Sequence, residues 1–144
     1  MIRKLALAAT IALAPVAGLA EGLTHYLAIH VNENDPQVMN IALNNAQNVR
    51  NYYASQGDDV VIEVVAYGPG LHMLRADTSP VAARIAAMSL EMDSLSFAAC
   101  GNTHQKMSEA AGTEVPLLEE AGMVTSGVVR LIELQEAGYS YLKP

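Results

Sequence analysis

The chain has 144 residues, 51% of them hydrophobic, with 8 Lys and Arg against 15 Asp and Glu for a net charge of −7, one Cys and no Trp. Beyond the first twenty residues its cations stand apart, at Arg50, Arg75, Arg84, Lys106, Arg130 and Lys143; phosphate-backbone binding needs them clustered, so neither nucleic acid nor an anionic membrane surface is an expected partner. A lone cysteine forms no internal disulfide, and the fold must rest on a hydrophobic core, which a chain of this length can supply.

Met1-Ile2-Arg3-Lys4 is a basic head, Leu5 to Leu13 an apolar run, and Gly18-Leu19-Ala20 a set of small residues before Glu21. This pattern predicts a signal peptide over residues 1–20, cut after Ala20, and hence a periplasmic or secreted protein with a single domain over residues 21–144. The apolar run is too short for a membrane span of about twenty residues. Without Arg3 and Lys4, six cations face fifteen acids, a net charge of −9.

Thr24 to Val31 alternates as a strand, with Tyr26, Ala28 and His30 on one face and His25, Leu27, Ile29 and Val31 on the other. His25 and His30 therefore point apart and make no two-ligand metal site by themselves. Asp35 and Pro36 predict an N-cap and first helical position. The helix from Val38 to Ser55 has an apolar stripe of Val38, Ile41, Ala42, Ala46, Val49 and Tyr53, and Gly57 ends it. Asp59 to Tyr67 is nearly continuous in β-branched residues, as a strand covered on both faces is. Strand, helix and buried strand make a βαβ unit with parallel strands.

Gly68-Pro69-Gly70 breaks that strand and opens a loop carrying His72 and Arg75, before Ser79 and Pro80 start a second helix with the stripe Val81, Ile85, Met88 and Met92. A third strand, Leu95 to Cys100, ends on the only cysteine. Asn102 or Thr103 is the expected cap of a third helix running to Ala111 and stopped by Gly112. Met123-Val124-Thr125 is a short fourth strand. A fourth helix follows, capped by Thr125 or Ser126, apolar almost all round at Val128, Val129, Leu131, Ile132 and Leu134, and stopped by Gly138. A helix of that kind is deeply buried or shared with another subunit. Tyr139 to Leu142 forms a last strand.

Cys100 thus sits at the carboxyl end of a strand just before a helix N-terminus. That is where α/β proteins place chemistry, and where the backbone dipole lowers a thiol pKa from its free value of about 8.5. If the second and third strands are neighbours, the loop with His72 and Arg75 lies beside it. Gly68 and Gly70, with Gly101, Asn102 and Thr103 at the next turn, are the backbone positions expected to hold an anionic ligand. The dinucleotide pattern G-x-G-x-x-G is absent.

The segments Gly68-Pro69-Gly70 with Leu74, Phe97-x-x-Cys100-Gly101-Asn102-Thr103, and Gly127-Val128 through Leu134-Gln135-x-x-Gly138-Tyr139-x-Tyr141 resemble the DsrE/DsrF-like (YchN-like) family, in particular its exported members of unassigned function. The resemblance covers roughly Thr24 to Pro144. It implies a three-layer α/β/α fold with a mostly parallel five-stranded sheet, assembling as a homo-oligomer, a trimer or hexamer. Better-known relatives are cytoplasmic and carry a cysteine that accepts sulfur as a persulfide and passes it on. Cys100 occupies that position, whereas His104 matches no family role.

Two functional readings follow. In the first the protein is a thiol-based sulfur carrier or sulfurtransferase-like protein: Cys100 accepts sulfane sulfur from a donor, Arg75 or His72 assists, and no cofactor or resident metal is called for. The second is a non-catalytic oligomeric binding protein whose carboxyl-end crevice holds a small ligand or a metal ion, with Cys100, His104 and His72 as a mixed sulfur and nitrogen set suited to copper or zinc. Against both stands a buried, inert Cys100 that merely packs.

Overall fold

Among the described residues five strands and four α-helices alternate, with one 3-10 helix between the second strand and the second α-helix. The structure is a computed structural model that describes residues 22–144; the predicted signal peptide lies outside the described residues. In order the elements are β1 (Thr24–Val31), α1 (Pro36–Gln56), β2 (Asp59–Ala66), the 3-10 helix (Gly68–Leu74), α2 (Ala82–Glu91), β3 (Leu95–Cys100), α3 (Gly101–Ala111), β4 (Ala121–Val124), α4 (Gly127–Glu136) and β5 (Ser140–Leu142). The sheet order is β4-β3-β2-β1-β5, and every neighbouring pair is parallel. The chain has the expected three-layer α/β/α architecture, with its five-stranded sheet parallel throughout.

Local chemistry sets the first crossover. Asp35 accepts a hydrogen bond from the Gln37 N–H at 2.7 Å, Pro36 takes the first helical position, and Gly57 closes α1 with a φ of 81°. An L side chain is strained at that φ and glycine is not. The buried stripe of α1 is Met39, Ala42, Leu43 and Ala46, whereas Ile41 is exposed. Of the expected stripe, Ala42 and Ala46 are buried and Val49 and Tyr53 pack against the core; Ile41 faces outward because the larger Met39 and Leu43, which that stripe left out, take the sheet side. In α2, Val81, Ile85, Met88 and Met92 are all buried as expected. The helix starts at Ala82, not at Ser79 or Pro80. The Ser79 hydroxyl instead donates to the Met73 carbonyl and accepts from the Val81 N–H, folding a turn ahead of the helix.

Going from β1 to β2, β3 and β4 the chain steps one way across the sheet, and right-handed crossovers put α1, α2 and α3 on one face. That face holds the main core, in which Ile29, Ile62, Val64 and Phe97 meet Met39, Leu43, Leu71, Met73 and Ile85. The return from β4 to β5 lays α4 alone over the other face, where Leu131 and Leu134 cover Ala28, Val65 and Ala98. Val128, Val129 and Ile132 point away from the sheet and are 52%, 48% and 51% exposed. The apolar circumference read from the sequence thus divides into a sheet-facing half and a half facing outward.

Candidate thiolate site

β3 and β4 are adjacent strands whose onward connections leave to opposite faces, into α3 on the three-helix side and α4 on the other. A crevice opens outside the carboxyl ends of strands where connections diverge in this way. Cys100, the last residue of β3, occupies it.

The residue is only 4% exposed. Burial pushes its thiol up, but hydrogen bonds from the Thr103 hydroxyl and from the backbone N–H groups of Gly127, Thr103 and Asn102 outweigh burial and hold it below the ordinary thiol value. Asn102 and Thr103 belong to the first turn of α3, and Gly127 opens α4. Two helix N-termini, each with unpaired N–H groups and the positive end of its dipole, therefore converge on one sulfur. The Asn102 N–H also reaches the Thr125 carbonyl at 3.2 Å, tying α3 to the end of β4.

The expected side-chain cap of α3 by Asn102 or Thr103 is not formed. Cys100 itself is the residue before the helix, which begins directly at Gly101. Thr103 is engaged elsewhere: its hydroxyl accepts from the Gly68 N–H at 2.9 Å, which leaves its proton for the sulfur. Gly127 admits α4 at close range. A Cβ there would lie 2.9 Å from Tyr67 Cβ and 3.2 Å from Cys100 Cβ.

The anion nest expected at Gly68 and Gly70 is not available. The Gly68 N–H is given to Thr103, and the Gly70 N–H to the Tyr67 carbonyl, because the loop winds into a 3-10 helix. That helix also carries His72 and Arg75 away from the sulfur. At about 2 Å rise per residue its seven residues span on the order of 14 Å. Arg75 makes a two-pronged ion pair with Asp77 at 2.9 and 2.7 Å, which holds the Asp77 carboxyl down at about 2. His72 Nε2 meets the Thr78 carbonyl at 3.0 Å, and His104 Nε2 the Val115 carbonyl at 2.8 Å. Among the described residues neither Arg75 nor His72 touches Cys100 through a hydrogen bond or ion pair. Nor does any group of three His, Cys, Asp or Glu side chains stand ready to hold a metal ion, so the set of Cys100, His104 and His72 is not assembled.

Residues that sequence reasoning passed over complete the surroundings. Ala66 is in register with Ala99 and Val31 with Ala66, so Asn32, Tyr67 and Cys100 form a row across three strand ends on the α4 face. His30 lies one step deeper, 6% exposed, its ring stacked on Tyr67 at 4.7 Å and 20°, and its Nδ1 2.7 Å from the Tyr141 hydroxyl. Burial, and then the Lys143 charge, hold its pKa below the usual histidine value. Strand alternation had already put His30 on this face; the register that sets it beside Tyr67 is a tertiary property. A cavity of about 470 Å³ lies at the opposite end of the sheet, between α1 and the starts of β1 and β5, lined by His25, Tyr26, Asn48, Tyr52, Tyr53 and Ser140 among others.

No protein-family model matches the chain, and no curated protein matches it. Among solved structures it is similar to MTH1491 from Methanobacterium thermoautotrophicum, a protein of unknown function. The TM-score is 0.69 at 29% sequence identity, covering 83% of this chain and 99% of that one. The two share the α/β fold.

Proposed function

We propose that this chain is an exported, thiol-based sulfur carrier or sulfurtransferase-like protein of the DsrE/DsrF-like kind, with Cys100 as the sulfur acceptor. The observation that carries the reading is the convergence of the N-termini of α3 and α4, and of the Thr103 hydroxyl, on the Cys100 sulfur. A sulfur acceptor has to be a thiolate before it is a nucleophile. In the transfer step the thiolate attacks the terminal sulfur of a persulfide R–S–SH. The bond between its two sulfurs breaks, R–S⁻ leaves with the electron pair, and Cys100 becomes Cys100–S–SH. The same N–H groups then face a persulfide, which is more acidic than a thiol and gains from the same positive potential.

The outward half of α4 supports assembly. Val128, Val129 and Ile132 expose an apolar surface of the kind that self-association covers. The protein is accordingly read as a homo-oligomer.

Incubation with polysulfide followed by intact mass measurement tests the carrier reading. One added sulfur atom is expected on the wild type and none on Cys100→Ser. An unmodified wild type, or equal modification of both, overturns it. A non-catalytic binding protein is favoured only by the cleft of about 470 Å³, which stands at the amino ends of the strands and not in the crevice.

A further inference from the structure

β5 is shorter than the strand it joins. It pairs with β1 only from Leu27 to Ile29, so Thr24, His25 and Tyr26 have no strand beside them on that side. Alternation along a strand fixes where their main-chain groups point. The carbonyls of Leu23 and Val31 accept from the Asp59 and Tyr67 N–H groups, on the β2 side. Odd-numbered residues of β1 therefore turn N–H and C=O towards β2, and even-numbered ones towards β5. There the Tyr26 carbonyl takes the Ser140 N–H, the first rung of the pairing. The Thr24 N–H, the Thr24 C=O and the Tyr26 N–H face the vacated side, with no hydrogen-bond partner among the described residues.

The cleft of about 470 Å³ runs along this vacant length. Thr24, His25 and Tyr26 line it from the sheet, and Val49, Tyr52 and Tyr53 from α1. Its volume is that of a binding pocket and not of a packing defect. No Lys, Arg, Asp or Glu is among the lining residues, and three of them are tyrosines. Acids border it. Asp58 meets His25 Nε2 at 3.1 Å, Asp59 is in register with Thr24, and Glu136 precedes the Gly138 that closes one end of the cleft. Arg50 of α1 reaches away, to the Glu91 carbonyl at 3.5 Å.

Together these features describe an occupant. An acceptor and a donor two residues apart on one strand edge are what the main chain of another extended strand bonds. In parallel register, one residue set opposite His25 gives its N–H to the Thr24 C=O and takes the Tyr26 N–H on its own C=O. Its side chain then lies on the His25 face, towards Val49, Tyr52 and Tyr53, and those of its neighbours lie on the Tyr26 face. The vacant length from Thr24 to Tyr26 is about 10 Å. Uncharged walls call for uncharged side chains where the segment pairs, and the acidic border calls for a base beside them. A second copy of this chain, with 15 acidic residues to 8 basic ones, has the wrong sign.

We infer that the open edge of β1 at Thr24–Tyr26 is a strand-addition site for an extended segment of another polypeptide, apolar where it pairs and basic next to that stretch. The site stands at the opposite end of the sheet from Cys100 and does not depend on how the cysteine is read.

The test follows the Thr24 and Tyr26 amide resonances in ¹⁵N–¹H spectra. The probes are acetyl-Val-Tyr-Val-Lys-amide, the same peptide ending in Glu-amide, and the Lys peptide N-methylated at Val, Tyr and Val. Millimolar Lys peptide is expected to move both resonances to saturation. The Glu peptide is expected to bind several-fold more weakly at low salt, and the methylated peptide about tenfold more weakly, its main-chain donors being gone. Unmoved Thr24 and Tyr26 resonances, or equal binding of the three peptides, overturn the proposal. The same shifts on raising the protein concentration without peptide give the edge to a second copy and also overturn it. Thr24→Pro removes an N–H that bonds nothing in the fold, at the first residue of a strand, where proline is tolerated. It is expected to weaken the Lys peptide about tenfold, and wild-type binding by this variant counts against the edge. The methylated peptide decides the matter on the wild type if the variant does not fold.

Discussion

The Thr103 hydroxyl accepts the Gly68 N–H at 2.9 Å and hands its own proton to Cys100, so a backbone group at the end of β2 orients a donor for a sulfur at the end of β3. Thr103→Val removes that donor and leaves the shape. A hydrogen bond to a charged group is worth about 1.5–3 kcal/mol, and 1.36 kcal/mol corresponds to one pKa unit. The bond favours the thiolate, so its loss raises the thiol pKa. The midpoint of the pH dependence of Cys100 alkylation by iodoacetamide should rise by about one unit, and the rate near pH 7 should fall up to tenfold. Thr103→Ser should restore both.

Gly127→Ala probes the convergence from the other side. The added methyl would sit 2.9 Å from Tyr67 Cβ and 3.2 Å from Cys100 Cβ, closer than side chains tolerate. Either α4 backs away from the sulfur, taking the Gly127 N–H with it, or Tyr67 shifts. Overpacking of this kind costs about 1–3 kcal/mol. Urea denaturation should show that loss, and the alkylation midpoint should move upward together with it. A destabilised protein with an unchanged midpoint would mean that the α4 N-terminus contributes nothing to the thiolate.

Glu63, 8% exposed in the middle of β2, is gripped by Arg130 of α4 through two hydrogen bonds of 2.7 Å. Arg130 itself is partly exposed and also near Glu133. Glu63→Gln therefore strands a cation that water can still reach. The cost falls between the ~0–1 kcal/mol of a surface pair and the 3–5 kcal/mol of breaking a buried one, on the order of 2 kcal/mol. Denaturant titration measures it. Because Arg130 stands one turn from Gly127, the same variant should loosen the N-terminus of α4 and slow alkylation of Cys100.

The outward face of α4 yields a prediction about assembly. Light scattering at micromolar concentration should give a multiple of the chain mass for the wild type and a single chain mass for the double variant Val129→Glu, Ile132→Glu. These positions are about half exposed and stand outside the cluster that Leu131 and Leu134 build against the sheet. A wild-type monomer would remove the homo-oligomer from the proposal.

Helix caps and strand composition made much of the fold legible. Asp35, Pro36 and Gly57 bounded α1, the β-branched run of β2 announced a strand buried on both faces, and Val81, Ile85, Met88 and Met92 faced inward as their spacing required. Periodicity failed where apolar residues crowd, as around Ile41. The position of Cys100 at a strand end before a helix was readable, and its thiolate-stabilising surroundings agree with that place. Its partners were not readable, since they depend on where strands lie side by side. Arg75 and His72 were singled out because they are polar and near Cys100 in the expected topology, yet short-range bonds to Asp77 and Thr78 claim them first. Tyr67 read as the last residue of a strand and Gly127 as part of a resemblance segment at a helix start, and only strand register and the α4 crossover bring them to the sulfur.

The pairing of β5 with β1 has a consequence for how the chain reaches its native state. The strand made last lies against the strand made first, and the His30–Tyr141 contact spans 111 residues of sequence. Contacts of such long range form late, after the entropy of closing the loop between them has been met. The chain can pair β1, β2, β3 and β4 in turn, each next to its predecessor, but the β1 edge stays open until β5 docks on it. Docking of β5, not the formation of any helix, is the event that covers that edge.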